Sequence, residues 1–151
     1  MGNKYEFRSP TTYNFAFQKF VRFLMFQGKK SIADKILRTS IQHSCKSLGL
    51  TDHSAFFLQA VFNAAPDIEI KSKKIGTNSY LVPKPISSEH KINWGIKLIL
   101  EASRSRKESG MRERLTFELI DAFNNKGLAI KKKDEIHKLA ELNKSFSHFN
   151  W

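Results

Sequence analysis

Carboxylates are scarce in this chain of 151 residues. Its 14 Asp and Glu face 26 Lys and Arg, a formal net charge of +12 at pH 7. A surplus of that size points to a polyanionic partner. Cysteine is almost absent as well: a lone Cys45 allows no internal disulfide, which argues against a disulfide-stapled secreted domain. That thiol lies on a helical apolar stripe, where small thiols are commonly buried. No apolar run approaches the ~20 residues of a membrane span. The richest stretch, Phe15 to Phe26, is interrupted by Gln18, Lys19 and Arg22. Met1 to Pro10 lacks an apolar core followed by small residues at a cleavage site, and Glu6 disagrees with an acid-poor transit peptide. Residues 1–12 therefore read as a short basic arm.

Proline and glycine are also few, 4 and 7, and neither an internal repeat nor a low-complexity tract divides the chain. A single domain over 13–151 is expected. Its apolar share of 40%, including 13 Phe, is enough for a core, and at this length roughly 70% of the unfolded surface disappears on folding. Lys exceeds Arg and Phe equals Leu, a bias that AT-rich coding of the kind common in organelle genomes produces.

The apolar periodicity predicts a mainly α fold of six helices with one two-stranded β-ribbon. From Tyr13 to Gln27, Phe17, Phe20, Val21 and Leu24 recur at helical spacing, and Gly28 is a stop signal. Ser31 then suits a helix cap with Asp34 in the first turn, ahead of the stripe Ile32, Ile36, Leu37, Ile41, Cys45 and Leu48, closed by Gly49. Asp52 can cap a third helix with a wide apolar face (Phe56, Phe57, Ala60, Val61, Ala64) that Pro66 ends. Later stripes are Ile92, Ile96, Ile99, Leu100 and Ser103, ending near Arg106; Met111, Leu115, Leu119, Ala122 and Phe123; and Ile136, Leu139, Ala140, Asn143 and Phe146. Lys131, Lys132 and Lys133 read as a basic loop entering the last helix.

Between the third and fourth helices the period changes to 2. Asp67 to Ile75 reads as a strand and Ser79 to Val82 as its return, with the turn at Gly76, Thr77 and Asn78 and a break at Pro83 and Pro85. Ile68, Ile70, Leu81 and Val82 make an apolar base, while Lys71, Lys73 and Lys74 lie towards the turn. A basic tip cannot be buried unpaired, so the ribbon, at about 67–83, should dock by its base and project its tip.

The cations fall in four clusters: Lys29 and Lys30; Lys71, Lys73 and Lys74; Arg104, Arg106, Lys107, Arg112 and Arg114; and Lys131 to Lys133 with Lys138. Any one alone is most simply a solvated face. Four beside turns, with this surplus, favour one anion-binding surface built on a helical scaffold. If about eight of these side chains neutralise phosphates, log affinity should fall with log salt at a slope of roughly −6 to −7.

Catalytic patterns are lacking. His43, His53, His90, His137 and His148 do not pair with Cys or carboxylates at metal-ligand spacing, so neither a metal nor another cofactor is expected. Asp134 and Glu135 suit compensation of a helix dipole better than acid/base work. Gly28-Lys29-Lys30 lacks the upstream glycine of a phosphate-binding loop, and no GxSxG elbow occurs. Tyr80, Trp94, Phe149 and Trp151 are the aromatics expected to be partly exposed; most Phe residues belong to the core by their spacing.

These motifs resemble a known family, the seventh protein of the small ribosomal subunit. Lys19-Phe20-Val21-Arg22-Phe23-Leu24-Met25 followed by Gly28-Lys29-Lys30-Ser31 is similar to its first helix and turn, and the stretch Ala65 to Gly76, with Tyr80, Val82 and Pro83, to its ribbon. Glu101 to Arg106 resembles the end of its fourth helix, and Ala129 to Glu141, with Asn143 to Phe149, its final helix. The resemblance implies a structural, non-enzymatic protein bound to the 3′ major domain of small-subunit ribosomal RNA. There it would nucleate the head of the subunit beside neighbouring head and platform proteins, with Gly76, Thr77 and Asn78 near the exit-site transfer RNA and the messenger path. No membrane or small-molecule substrate is implied. Thr77 replaces the family's usual second turn glycine, and Leu98 its usual tryptophan, with Trp94 one turn earlier. The ending at Trp151 lacks a common bacterial extension, which leads us to expect an organellar ribosome, mitochondrial or alternatively plastid. A DNA-binding helical regulator is the competing expectation; it would need base-reading side chains on one helix.

Overall fold

In the computed structural model, which describes residues 10–149, six helices and a ribbon follow the expected order. They are α1 (Pro10–Leu24), α2 (Lys30–Leu48), α3 (His53–Ala64), β1 (Ile68–Ile75), β2 (Asn78–Pro85), α4 (Ser88–Ser105), α5 (Met111–Phe123) and α6 (Gly127–Leu142), closed by a 3-10 helix over Lys144–Phe149. Most of the arm expected over 1–12 lies outside the described residues, as does Trp151. The helix reaches into the remainder, starting at Pro10, where a missing N–H costs nothing.

α3 is apolar almost all round, burying Phe56, Phe57, Leu58, Ala60, Val61 and Ala64, and a helix of that kind belongs in the interior. It packs against each of the other five helices. Asp52 caps it as expected, accepting from the backbone N–H of Ser54 and of Ala55, each at 3.0 Å. Edge-on rings from α1 gather round Phe57: Phe20 at 5.7 Å, Tyr13 at 5.8 Å and Phe17 at 6.3 Å between centroids. On the other side α4 approaches so closely that a Cβ on Gly95 would stand 2.4 Å from the Val61 carbonyl oxygen.

Several local expectations are corrected. α2 begins at Lys30, one residue before Ser31, and has no side-chain cap; Asp34 pairs instead with Arg38 one turn on, at 2.7 Å. Its buried face runs through Ala33, Leu37, Ile41 and Cys45, which leaves Ile32 exposed in the first turn. β2 does not break at Pro83 and Pro85 but runs through both, paired with Ile70 and Ile68. Residues two apart carry their N–H on the same side of a strand, so both missing donors fall on the open edge of this two-stranded sheet. The loop is shorter than expected, because Asn78 already pairs with Ile75. Gly76, at φ 62°, takes the positive angle at the first turn position and Thr77 does not share it, the φ pattern of a type II′ hairpin.

The largest correction concerns α6. It starts at Gly127, so Lys131 to Lys133 are helical and do not form a loop, and Asp134 and Glu135 sit mid-helix, away from its positive end. The reason is tertiary. Lys126 provides no side-chain cap; the carboxylate of Glu118, on α5, accepts the Ala129 N–H at 3.0 Å instead. Along α6 the buried residues are Ala129, Ile130 and Ala140, while Leu139 is exposed.

Candidate nucleic-acid interface

Trp94, Lys97, Glu101 and Arg104 follow one another along α4 at intervals of three and four residues, and so form one outward stripe. Three other elements border it. The end of α1 lies on one side: the Lys97 ammonium is 5.7 Å from the centroid of the Phe23 ring and equally far from that of Trp94. Arg104 Nη2 donates to the Phe23 carbonyl at 3.3 Å. α6 lies on another, where Lys132 Nζ stands 2.6 Å from Glu101. The base of the ribbon meets the N-terminal part of α4, where Trp94 Nε1 donates to Glu69 at 3.3 Å and Lys71 pairs with the same carboxylate at 2.8 Å. The Lys91 ammonium donates to Asp67, whose backbone N–H donates to His137 Nε2 of α6 at 3.1 Å.

The α4 stripe thus gathers three of the four clusters read from the sequence: the ribbon through Lys71, α4 itself through Arg104, and α6 through Lys132. Lys29 ends the loop that follows α1, and Lys30 opens α2. Lys29, Lys30, Lys74, Lys131 and Lys138 are exposed, and none has an acidic partner among the described residues. Lys73 lies opposite Tyr80 in the ribbon, two residue pairs short of the turn.

Other expected residues lie elsewhere or are already engaged. Arg106 is the clearest case: its guanidinium meets Glu118 at 2.6 Å, Asp121 at 2.8 Å and Glu108 at 3.1 Å, with a side chain only 18% exposed. Burial acts to lower its pKa, but hydrogen bonds to Asp121, Glu118 and Glu108 outweigh that, and the net shift is upward. It is a structural ion with little left to offer a ligand. Arg114 Nε donates to the Glu108 carbonyl at 2.7 Å, and Lys133 to the Asn63 carbonyl at 2.8 Å. Arg112 borders a different cleft of about 550 Å3, between α2 and α5, with Lys35 and Ile32. Helical geometry accounts for the division of Lys131, Lys132 and Lys133: neighbours on a helix point about 100° apart.

Lys97 was missed by sequence reasoning, which sought clusters rather than single cations. Its spacing from Trp94 and Glu101 was the signal available. Two of the carboxylates at this surface, Glu69 and Asp67, are held ionised. The Lys71 hydrogen bond lowers the Glu69 pKa against a smaller opposing effect of burial, and the Lys91 hydrogen bond does the same for Asp67. The described residues contain no group of three or more His, Cys, Asp or Glu able to hold a metal ion, and no described helix is long and apolar enough to cross a membrane. What the surface can do is hold phosphates.

The family model for ribosomal protein S7p/S5e matches residues 3–144. The chain belongs to this family. Among curated relatives, the small ribosomal subunit protein uS7 of Vibrio vulnificus (strain YJ016) is 40% identical over 133 residues, 88% of this chain and 85% of its own. Those of Wigglesworthia glossinidia brevipalpis and Hydrogenovibrio crunogenus are each 41% identical over the same shares. Of the motifs that suggested the family, those from Lys19 to Ser31, in the ribbon, at the end of α4 and from Ala129 to Glu141 fall inside the matched region, while Asn143 to Phe149 runs past its end.

Proposed function

We propose that this chain is a non-catalytic constituent of the small ribosomal subunit and that it binds ribosomal RNA across the outward stripe of α4. One observation carries the reading: within a family of ribosomal proteins, this fold brings Lys97 and Arg104 to a single surface on which Lys71 and Lys132 already pair Glu69 and Glu101, so that the surplus there is cationic. Folded RNA brings phosphates of different helices close together, and interposed cations offset their repulsion. The product is a fixed junction rather than a reaction.

The more specific reading places the protein on the 3′ major domain of the RNA, as a nucleus for the head. Lys29, Lys30, Lys74, Lys131 and Lys138 would be peripheral phosphate ligands, and Gly76, Thr77 and Asn78 would face the exit-site transfer RNA and the messenger path. Neighbouring head and platform proteins complete the setting. We assign the particle to an organelle, mitochondrion before plastid, on the Lys-rich and Phe-rich composition. Crosslinking in cells followed by sequencing of the attached RNA tests all of this. Reads concentrated in the 3′ major domain of organellar small-subunit RNA are expected; reads in genomic DNA or scattered across messages would overturn the proposal.

A further inference from the structure

α1 carries more aromatic surface than its core needs. Phe17, Phe20, Val21 and Leu24 fill the inward face, while Phe23, 37% exposed, and Phe26, two residues beyond the helix end and 76% exposed, stay out of it. Phe23 shares the Lys97 ammonium with Trp94, which is partly buried on α4. Arg104 holds the Phe23 carbonyl. One ammonium therefore bridges two rings at the seam between α1 and α4, and the chain runs on from α1 through Phe26 to Lys29 and Lys30.

We infer that this seam is a stacking platform for unpaired nucleobases, with Phe23, Phe26 and Trp94 receiving base faces and Lys97 and Arg104 the adjoining phosphates. The inference rests on the RNA-binding reading above and adds a substrate class to it: single-stranded segments rather than duplex. Charge decides between RNA and a protein as occupant. An apolar seat for a protein is depleted of charge at its centre, whereas here an ammonium sits between the two rings. The nearby Glu69 and Glu101 are each already paired with a lysine, which leaves the seam cationic. Every base offers a face to stack on, so such a platform tolerates sequence. Duplex RNA keeps its bases inside and gains only the phosphate contacts.

The chain has two tryptophans, so a full-length Trp151→Phe variant leaves Trp94 as sole indole reporter. Titrating it with a 12-nucleotide oligo(A) should quench Trp94 fluorescence, and a duplex RNA of equal length should not. Adding Phe23→Leu and Phe26→Leu, which remove the rings and keep apolar bulk at exposed positions, should weaken oligo(A) binding at least about fivefold and leave duplex binding unchanged. Circular dichroism checks that these variants fold.

The inference is overturned if oligo(A) binds without quenching, if the leucine variants bind it equally well, or if only the ribosomal RNA fragment binds. It is also overturned if the variants keep RNA affinity but lose a neighbouring protein during subunit reconstitution, since the seam then seats protein. Binding to neither oligo(A) nor the 3′ major domain of the RNA instead sinks the underlying reading, so the two failures are distinguishable.

Discussion

Arg106 Nη1 lies 2.6 Å from Glu118 Oε2, and that carboxylate is fully buried. The other oxygen, Oε1, accepts the Ala129 N–H. One side chain thus joins the loop after α4, the body of α5 and the first turn of α6. Glycine is required at the junction, because a Cβ on Gly127 would stand 2.9 Å from the Asp121 Cβ and 3.1 Å from Glu118 Oε1, at φ +89°. Arg106→Met should therefore destabilise the fold by about 3 kcal/mol or more, because it strands a buried charge, and lower the melting temperature by roughly 6–12 °C. Thermal unfolding followed by circular dichroism measures this. A melting temperature unchanged by the substitution would return Arg106 to the pool of RNA ligands.

Lys131 and Lys138 should behave in the opposite way. Each is exposed on α6 without an acidic partner among the described residues. Replacing either by Ala should leave the melting temperature within about 2 °C and reduce the steepness of the salt dependence of RNA binding by about 0.7–0.9 per residue. Filter binding at several salt concentrations reads the slope. An unaltered slope would remove that lysine from the interface.

The contact of α4 with α3 has its own test. Gly95→Ala puts a Cβ against the Val61 carbonyl and 3.3 Å from the Ala65 Cβ, backbone and packed core that cannot readily yield. Overpacking of this kind costs about 1–3 kcal/mol. Urea denaturation should show a lower midpoint with an unchanged slope. If stability does not change, α4 can slide on α3 more freely than the packing implies.

Acid should loosen the ribbon base before it melts the helices. Asp67 and Glu69 have folded pKa values below their ordinary 3.8 and 4.5, chiefly through the lysine hydrogen bonds. A carboxylate lowered by folding stabilises fully above its unfolded pKa, and the contribution fades as pH falls through the folded value. The loss should begin below about pH 4.5 and continue under 3.8. Because the Asp67 side chain is 65% exposed, screening keeps the effect small. Hydrogen exchange of the β1 amides at pH 5 and pH 3.5 detects it. Equal protection at both would leave these ion pairs no part in anchoring the ribbon.

Element order and the apolar stripes were legible from spacing because each depends on neighbours within a few residues. Phe17, Phe20, Val21 and Leu24 face inward as their period requires, and Asp52 caps α3 with its own carboxylate. What escaped were long-range substitutions for local signals. α6 could begin four residues before Lys131 because Glu118 supplies the cap from another helix. β2 could include two prolines because no third strand needs their donors. The basic clusters were visible as composition, but composition does not separate Lys131, which is exposed, from Lys133, which donates to a carbonyl of α3, or from Arg106, enclosed by three carboxylates.

Tyr80 packs on Phe146 of the closing 3-10 helix, their ring centroids 5.4 Å apart. Beyond the Lys73–Tyr80 pair only two more rungs, Lys74 with Ser79 and Ile75 with Asn78, precede the loop, an overhang of about 7 Å at ~3.4 Å per rung. So short a cantilever has little room to bend. Its aim is inherited from the 3-10 helix, and a neighbour that shifts Phe146 would steer the hairpin end without touching it.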